Sequence, residues 1–429
     1  MCSTYTLHSF FCLLFLLFHL HLHLLPADPG FSVGGGVGMG VGIGGGGIWV
    51  GGGGVSTPTP DVEPPPQSPP ALSTPSLSRA YTALQSWKSA IVEDPNGILA
   101  TWVGPNVCNY KRVFCSSSVL PSVSAIDLNH ANLKGVLVKE LSLLTELSLL
   151  HLNSNRFSGT IPDSFRDLVS LTELDLSNNQ FSGEFPISTL QIPNLVYLDL
   201  RFNQFSGQLP AELFNKPLDA ILLNNNQFSG ELPENMGSSP ASVMNLANNK
   251  FSGVIPASLG DVNSALKEIL FLNNQLTGCI PEGLGLFSDM QVLDLSHNSL
   301  TGHLPESLSC LQDIEVLNLA HNHLSGELPD IVCSLKNLLN LTVAYNFFSG
   351  FSPTCENLFS RSVGFDFSLN CIPGEGMQRP PPECSMIPGG GGGGGGGGSS
   401  CLRIPSTKPL VCGSLLDLLQ GLLPIPLSP

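Results

Sequence analysis

Leu171-Thr-Glu-Leu-Asp-Leu-Ser-Asn-Asn-Gln-Phe-Ser-Gly-Glu-Phe-Pro186 returns, with other letters in its variable places, as Met290-Gln-Val-Leu-Asp-Leu-Ser-His-Asn-Ser-Leu-Thr-Gly-His-Leu-Pro305. Ten such segments follow one another from Val123 to Cys355 at a period of 24 residues, with small slips. The apolar places, Leu171, Leu174, Leu176 and Phe181 in the first example, must face a core shared between neighbours, because one segment cannot bury them alone. Nine of the ten carry Asn eight residues after the first apolar place: Asn155, Asn179, Asn203, Asn226, Asn249, Asn274, Asn298, Asn322 and Asn346, with Ala131 in the first. A short amide there can turn inward and bond backbone groups of adjacent turns. Gly stands in all ten, from Gly135 to Gly350, where a side chain would strain a turn. The Pro three residues on fixes φ and stops the following segment from becoming a long regular helix.

This pattern is a leucine-rich repeat, and its Leu-x-Gly-x-Ile-Pro form resembles the plant extracellular type. The expected fold is an α/β leucine-rich repeat solenoid of about ten 24-residue repeats. Each repeat is expected to give one short parallel strand to a concave sheet about 45 Å long, at roughly 4.8 Å per strand. Such a surface suits a peptide, a protein edge or a polysaccharide better than a small molecule. Strand residues alternate faces, so the place between the two core Leu points into the concavity. In order these are Asp127, His151, Asp175, Asp199, Leu222, Asn245, Leu270, Asp294, Asn318 and Thr342. Glu173, Tyr197, Arg201, Phe202, Glu268, His297, His321 and Tyr345 are expected to flank them. The N-terminal half then reads as an acidic column with Tyr197 and Phe202 as apolar anchors, fit to hold a cationic peptide by charge-assisted hydrogen bonds. The binding face is expected at Asp127, His151, Glu173, Asp175, Tyr197, Asp199, Arg201, Phe202, Glu268, Asp294 and Tyr345.

Outside the repeats, residues 1–27 hold an apolar run ending at Pro26-Ala27-Asp28 and read as a signal peptide. Residues 28–77 are a Gly/Pro-rich linker, and residues 389–429 a Gly-rich and apolar tail. Neither can bury enough apolar area to fold. Residues 78–122 form an N-terminal cap, with helical spacing over Arg79–Val92 and turn chemistry at Asp94-Pro-Asn-Gly97. Trp102, Cys108 and Cys115 complete the cap pattern of such repeats. Residues 356–388 are a Cys-containing hinge.

Of 12 Cys, Cys2 and Cys12 lie in the signal segment, and the rest are expected as disulfides in an oxidising compartment. The expected pairs are Cys108–Cys115, Cys333–Cys355 and Cys371–Cys384. The partners of Cys279, Cys310, Cys401 and Cys412 stay open. These spacings do not make twin C-x-x-C zinc knuckles, so no metal or cofactor is expected. The net charge of −16 disfavours nucleic acid and favours a cationic partner. No nucleophile motif or phosphate loop is present, so no catalysis is expected. Asn340-Leu-Thr342 is the only N-glycosylation sequon.

Several non-repeat stretches carry a closer resemblance. Tyr81-Thr-Ala-Leu-Gln-Ser-Trp-Lys88, Leu218-Asp-Ala-Ile-Leu-Leu-Asn-Asn-Asn226, Pro233-Glu-Asn-Met-Gly-Ser-Ser-Pro240 and the hinge Asn370-Cys-Ile-Pro…Gln378-Arg-Pro…Glu383-Cys384 are similar to the leucine-rich repeat extensins of plant cell walls. The resemblance implies a secreted wall protein that binds a basic, cysteine-rich signalling peptide of the rapid-alkalinisation type and ties wall assembly to growth. It also implies contact with wall components and a possible homodimer. No Ser-Pro-Pro-Pro-Pro repeat follows Cys384 here, which removes the basis for the family's crosslinking role. The alternative function is inhibition of a wall-degrading enzyme such as a polygalacturonase.

Overall fold

The computed structural model describes residues 75–259 and 265–385. The signal, most of the linker and the tail lie outside these residues. The repeats coil into a solenoid with two sheets rather than one. The concave sheet has 12 strands and a second sheet has 11. The expectation of one strand per repeat is therefore corrected. In each turn the residues after the ladder Asn, such as Gln180–Gly183 and Gln204–Gly207, also run extended and pair in parallel with the next coil. Their alternation, one core Phe between two outward residues, is a period-two pattern too short to stand out beside the Leu signal. The concave sheet gains strands at both ends. Val113–Cys115 of the cap pairs antiparallel with Val123–Asp127, and Gly364–Asp366 pairs with Asn340–Thr342.

A ladder of amides holds the coils in register. Asn203 shows the unit. Its Oδ1 accepts the Phe181 N–H at 3.0 Å. Its Nδ2 donates to the carbonyls of Leu176 at 2.9 Å, Leu200 at 3.2 Å and Arg201 at 3.1 Å. Asn155, Asn179, Asn226, Asn249, Asn274, Asn298, Asn322 and Asn346 repeat it. Asn370, in the hinge, adds another rung by accepting from Phe348 N–H at 3.0 Å. Beside the ladder runs a spine of stacked rings: Trp87, Phe157, Phe181, Phe205, Phe228 and Phe251, with successive centroids 5.7–6.4 Å apart.

The residue before each ladder Asn takes a left-handed conformation: Ser154, Asn178, Phe202, Asn225, Asn248, Asn273, His297, His321 and Tyr345 have φ of 53–59°. Asn and His tolerate this region better than most, whereas Phe202 and Tyr345 are held there at a cost. The Pro that ends each repeat sentence opens, rather than blocks, a single turn of helix. Pro162 O, for example, accepts from Phe165 N at 3.0 Å, and Asp163–Asp167 is a 3-10 turn. Gly183, Gly207 and Gly302 have φ of 80–96°, as a turn there requires. Gly135 has a different reason: a Cβ would lie 2.5 Å from the Ala90 carbonyl of the cap.

The cap helix spans Pro75–Ala90 and buries Ala80, Ala83, Leu84 and Trp87. It starts before Arg79 and stops before Ile91. Ile91–Glu93 leaves the helix and pairs antiparallel with Lys134–Val136, and Tyr81 faces out. Asp94 explains the turn, its two oxygens accepting from Ile98 N at 3.0 Å and Leu99 N at 2.7 Å. At the other end Gln378 Oε1 accepts from Asn370 N at 3.1 Å. Arg379 donates to Asn346 O at 2.8 Å and covers the Phe347 ring at 4.4 Å. The disulfides Cys108–Cys115, Cys333–Cys355 and Cys371–Cys384 are formed. Cys279 and Cys310 are also disulfide-bonded.

Asn203→Ala leaves the buried Phe181 N–H without its acceptor and takes one donor from the Leu176, Leu200 and Arg201 carbonyls, each of which keeps another. A buried unsatisfied group costs about 1–3 kcal/mol, so denaturant unfolding is expected to show a loss of about that size. A loss within error of zero would mean that water replaces the amide.

Candidate functional site

Two rows of side chains point into the concavity. The first runs Ala125, Leu149, Glu173, Tyr197, and after Ala220 continues Val243, Glu268, Val292, Val316, Asn340, Gly364. The second runs Asp127, His151, Asp175, Asp199, Leu222, Asn245, Leu270, Asp294, Asn318, Thr342, Asp366. The place between the core Leu residues thus aligns across the whole sheet. Two members of the second row are buried, Asp199 at 0% and Leu222 at 1%.

The acidic column is present but mostly compensated within the chain. Asp199 is fully buried, and Arg201 holds it through Nε at 3.0 Å and Nη2 at 2.6 Å. The Tyr197 hydroxyl donates to Asp199 Oδ2 at 3.3 Å. Burial, then the charges of Asp199 and Asp175, push the Tyr197 pKa far up. Asp199 is therefore a buried support for Arg201 and Tyr197 rather than an open anchor. Asp127 lies 3.9 Å from the Arg112 guanidinium, a cation supplied by the cap that repeat reading missed. His151 Nε2 lies 3.1 Å from Glu173 Oε2. Burial works to lower the His151 pKa. The Glu173 hydrogen bond and the charges of Asp175, Glu173 and Asp127 outweigh it, so the net shift is upward.

Asp175 differs. Ser177 donates to its Oδ1 through N at 2.9 Å and Oγ at 2.5 Å. Its Oδ2 receives no hydrogen bond among the described residues. Burial and the charge of Asp199 raise its pKa, against the Ser177 bonds. It is a carboxylate that forms no salt bridge among the described residues, the charge of His151 favouring its ionised form only at longer range. Asp294 is also raised by burial, but Ser296 and Asn318 occupy both oxygens.

Phe202, His297, His321 and Tyr345 lie just past the ends of the concave strands rather than within them. They occupy the left-handed turn positions, at the border between the two sheets. Phe202 is 39% and Tyr345 41% exposed. His297, His321 and Tyr345 stack at 4.0 and 3.9 Å. Glu268 stays on the face, in the middle of an otherwise apolar stretch of the first row, Ala220, Val243, Val292 and Val316. That run was legible from the alternation but was overshadowed by the charges. Asn340 stands near the C-terminal end of the first row. No helix among the described residues is long and apolar enough to cross a membrane.

Family models match at the N-terminal domain of leucine-rich repeats over residues 78–116 and at leucine-rich repeats over 145–205, 289–311 and 313–335. Leucine-rich repeat extensin-like protein 7 of Arabidopsis thaliana is 62% identical over 225 residues, 52% of this chain and 52% of its own. Over that half of its length this chain is similar to the leucine-rich repeat extensin-like family. Leucine-rich repeat extensin-like protein 6 of the same plant is 51% identical over 80 residues, 18% of this chain and 17% of its own. The matches thus span about half or less of these relatives. Among solved structures, the Arabidopsis receptor kinase HAESA in complex with the peptide hormone IDA and the co-receptor SERK1 superposes with a TM-score of 0.59. It is 28% identical and covers 68% of this chain and 50% of its own. A plant ice-binding protein superposes with a TM-score of 0.56 at 25% identity, covering 68% of this chain and 94% of its own. The family and fold read from the cap, the hinge and the repeats are thereby borne out.

The raised His151 pKa gives a pH-dependent stability with a definite sign. A histidine whose folded pKa exceeds its unfolded value stabilises fully below the unfolded pKa and loses this as pH rises through the folded one. His151→Gln should therefore lower the unfolding midpoint at pH about 5 and change it little at pH about 8, relative to a free His value of about 6.5. Equal losses at both would mean that packing, not charge, is what His151 supplies.

Proposed function

We propose that this chain is a secreted, non-enzymatic plant cell-wall protein whose concave face binds a basic, cysteine-rich signalling peptide of the rapid-alkalinisation type and so links wall assembly to growth. The observation that carries this reading is Asp175. Its neighbours Asp127, Glu173 and Asp199 each form a salt bridge with a cation or a histidine of the chain itself, whereas Asp175 forms none among the described residues and feels the charge of His151 only at longer range. A guanidinium or ammonium from a ligand would complete the set, and in a partly dry trough that contact is worth more than at an open surface. Beyond it the apolar strip from Ala220 to Val316 gives a lodging for hydrophobic side chains of the same ligand.

Supporting this are the similarity to that family and the likeness to a receptor ectodomain solved with a peptide hormone. The net charge of −16 favours a cationic ligand over acidic wall polymer. Other wall components and a second copy of the chain are further partners that the family reading implies.

The test is calorimetric titration of the full chain with a basic rapid-alkalinisation peptide. Asp175→Asn, which keeps the shape and the Ser177 contacts, should weaken binding about 10- to 100-fold, as loss of one partner of a desolvated charge pair does. Affinity should also rise with pH as Asp175 ionises, since a cationic ligand favours its charged form. Unchanged affinity in Asp175→Asn would place the site elsewhere.

A further inference from the structure

We propose that Asn340 carries an N-linked oligosaccharide that stands inside the arc of the solenoid and covers the C-terminal end of the concave face. Glycans on a repeat protein are usually pictured on outer loops. Here the sequon lies on a concave strand, Asn340–Thr342. Its Asn belongs to the row that runs through Val292, Val316 and Gly364, so its side chain rises into the concavity.

Three features suit the amide to that role. First, Thr342 Oγ1 donates to Asn340 Oδ1 at 2.8 Å. This fixes the amide with its oxygen toward Thr342 and its nitrogen away. Second, Asn340 Nδ2 makes no hydrogen bond among the described residues. The amide nitrogen of Asn318, by contrast, is committed, donating to Asp294 and Ser296. Third, the neighbour beyond Asn340 in its row is Gly364. A Cβ at Gly364 would lie 2.9 Å from Asn340 Nδ2. The absence of a side chain leaves the flank of that nitrogen open, and Gly364–Asp366 is the last strand of the sheet. A sugar can thus extend off the sheet's end without displacing a side chain.

In the transfer step, Nδ2 bonds to C1 of the sugar while the C1–O bond to a lipid-linked diphosphate breaks. The lipid diphosphate leaves, and the amide gives up one proton. The donor is the oligosaccharyl diphosphate lipid of the secretory pathway. The glycan would close the trough at its C-terminal end while leaving Asp127–Arg201 accessible. Occupancy of Asn340 does not depend on what the trough binds, so this proposal and the peptide reading can fail separately.

The test uses the full chain, sent through the plant secretory pathway by a fused leader of established function. The peptide containing Asn340 is then analysed by mass spectrometry. Treatment with a peptide N-glycosidase that accepts plant glycans, in heavy-oxygen water, should convert Asn340 to labelled Asp. Thr342→Ser should keep the modification, and Thr342→Ala should abolish it. Release from the folded chain should be roughly tenfold or more slower than after unfolding, because the enzyme must wait for the last coils to open. An unmodified Asn340, or release at equal rates from folded and unfolded chain, would overturn the proposal.

Discussion

Everything in this molecule depends on the amide that turns inward once per coil. A solenoid of short strands leaves backbone groups at each bend, where neither sheet can pair them. One Asn per turn satisfies an N–H of the preceding coil and up to three carbonyls, as Asn203 does. A buried polar group left unpaired is costly, so the coils can stack only at the spacing the amide allows. That spacing brings Phe157, Phe181, Phe205, Phe228 and Phe251 face to face. It also aligns the concave rows residue for residue. The surface is therefore a readout of sequence at fixed intervals.

The fold was legible because its signal is repeated. Leu171, Leu174, Leu176, Asn179 and Gly183 mean little once and a great deal ten times over. The three disulfides were legible from their places: Cys108 and Cys115 share the cap, Cys333 and Cys355 close the C-terminal end, and Cys371 and Cys384 stand in the hinge after it. The second sheet was missed because three or four extended residues such as Gln204–Gly207 carry no period long enough to read. The shift of the cap helix to Pro75–Ala90 reflects tertiary packing. Trp87 must reach Trp102 and Phe157, and that contact, not helical spacing alone, sets which face is buried.

The candidate site was half legible. Period-two alternation placed Asp127, His151, Asp175 and Asp199 side by side correctly. What alternation cannot reveal is compensation. Arg201 reads as one more surface residue two places from Asp199, yet it folds back onto that carboxylate and takes it out of play. Arg112 reaches Asp127 from the cap, outside the repeats altogether. Likewise Phe202 and Tyr345 look like strand neighbours in one dimension, but a left-handed turn carries them to the edge. The result is a narrower charge than composition implies: an acidic cluster in which Asp175 alone forms no salt bridge among the described residues, then a mostly apolar strip, then a polar end.

The most direct measurement is hydrogen exchange of the full chain with and without a basic cysteine-rich peptide. The expected result is added protection on the concave strands from Val123–Asp127 to Tyr197–Asp199, extending into Ala220–Leu222 and Val243–Asn245. The convex 3-10 turns should be unaffected. Protection confined to those turns, or to the hinge after Cys355, would contradict a concave, charge-led binding face.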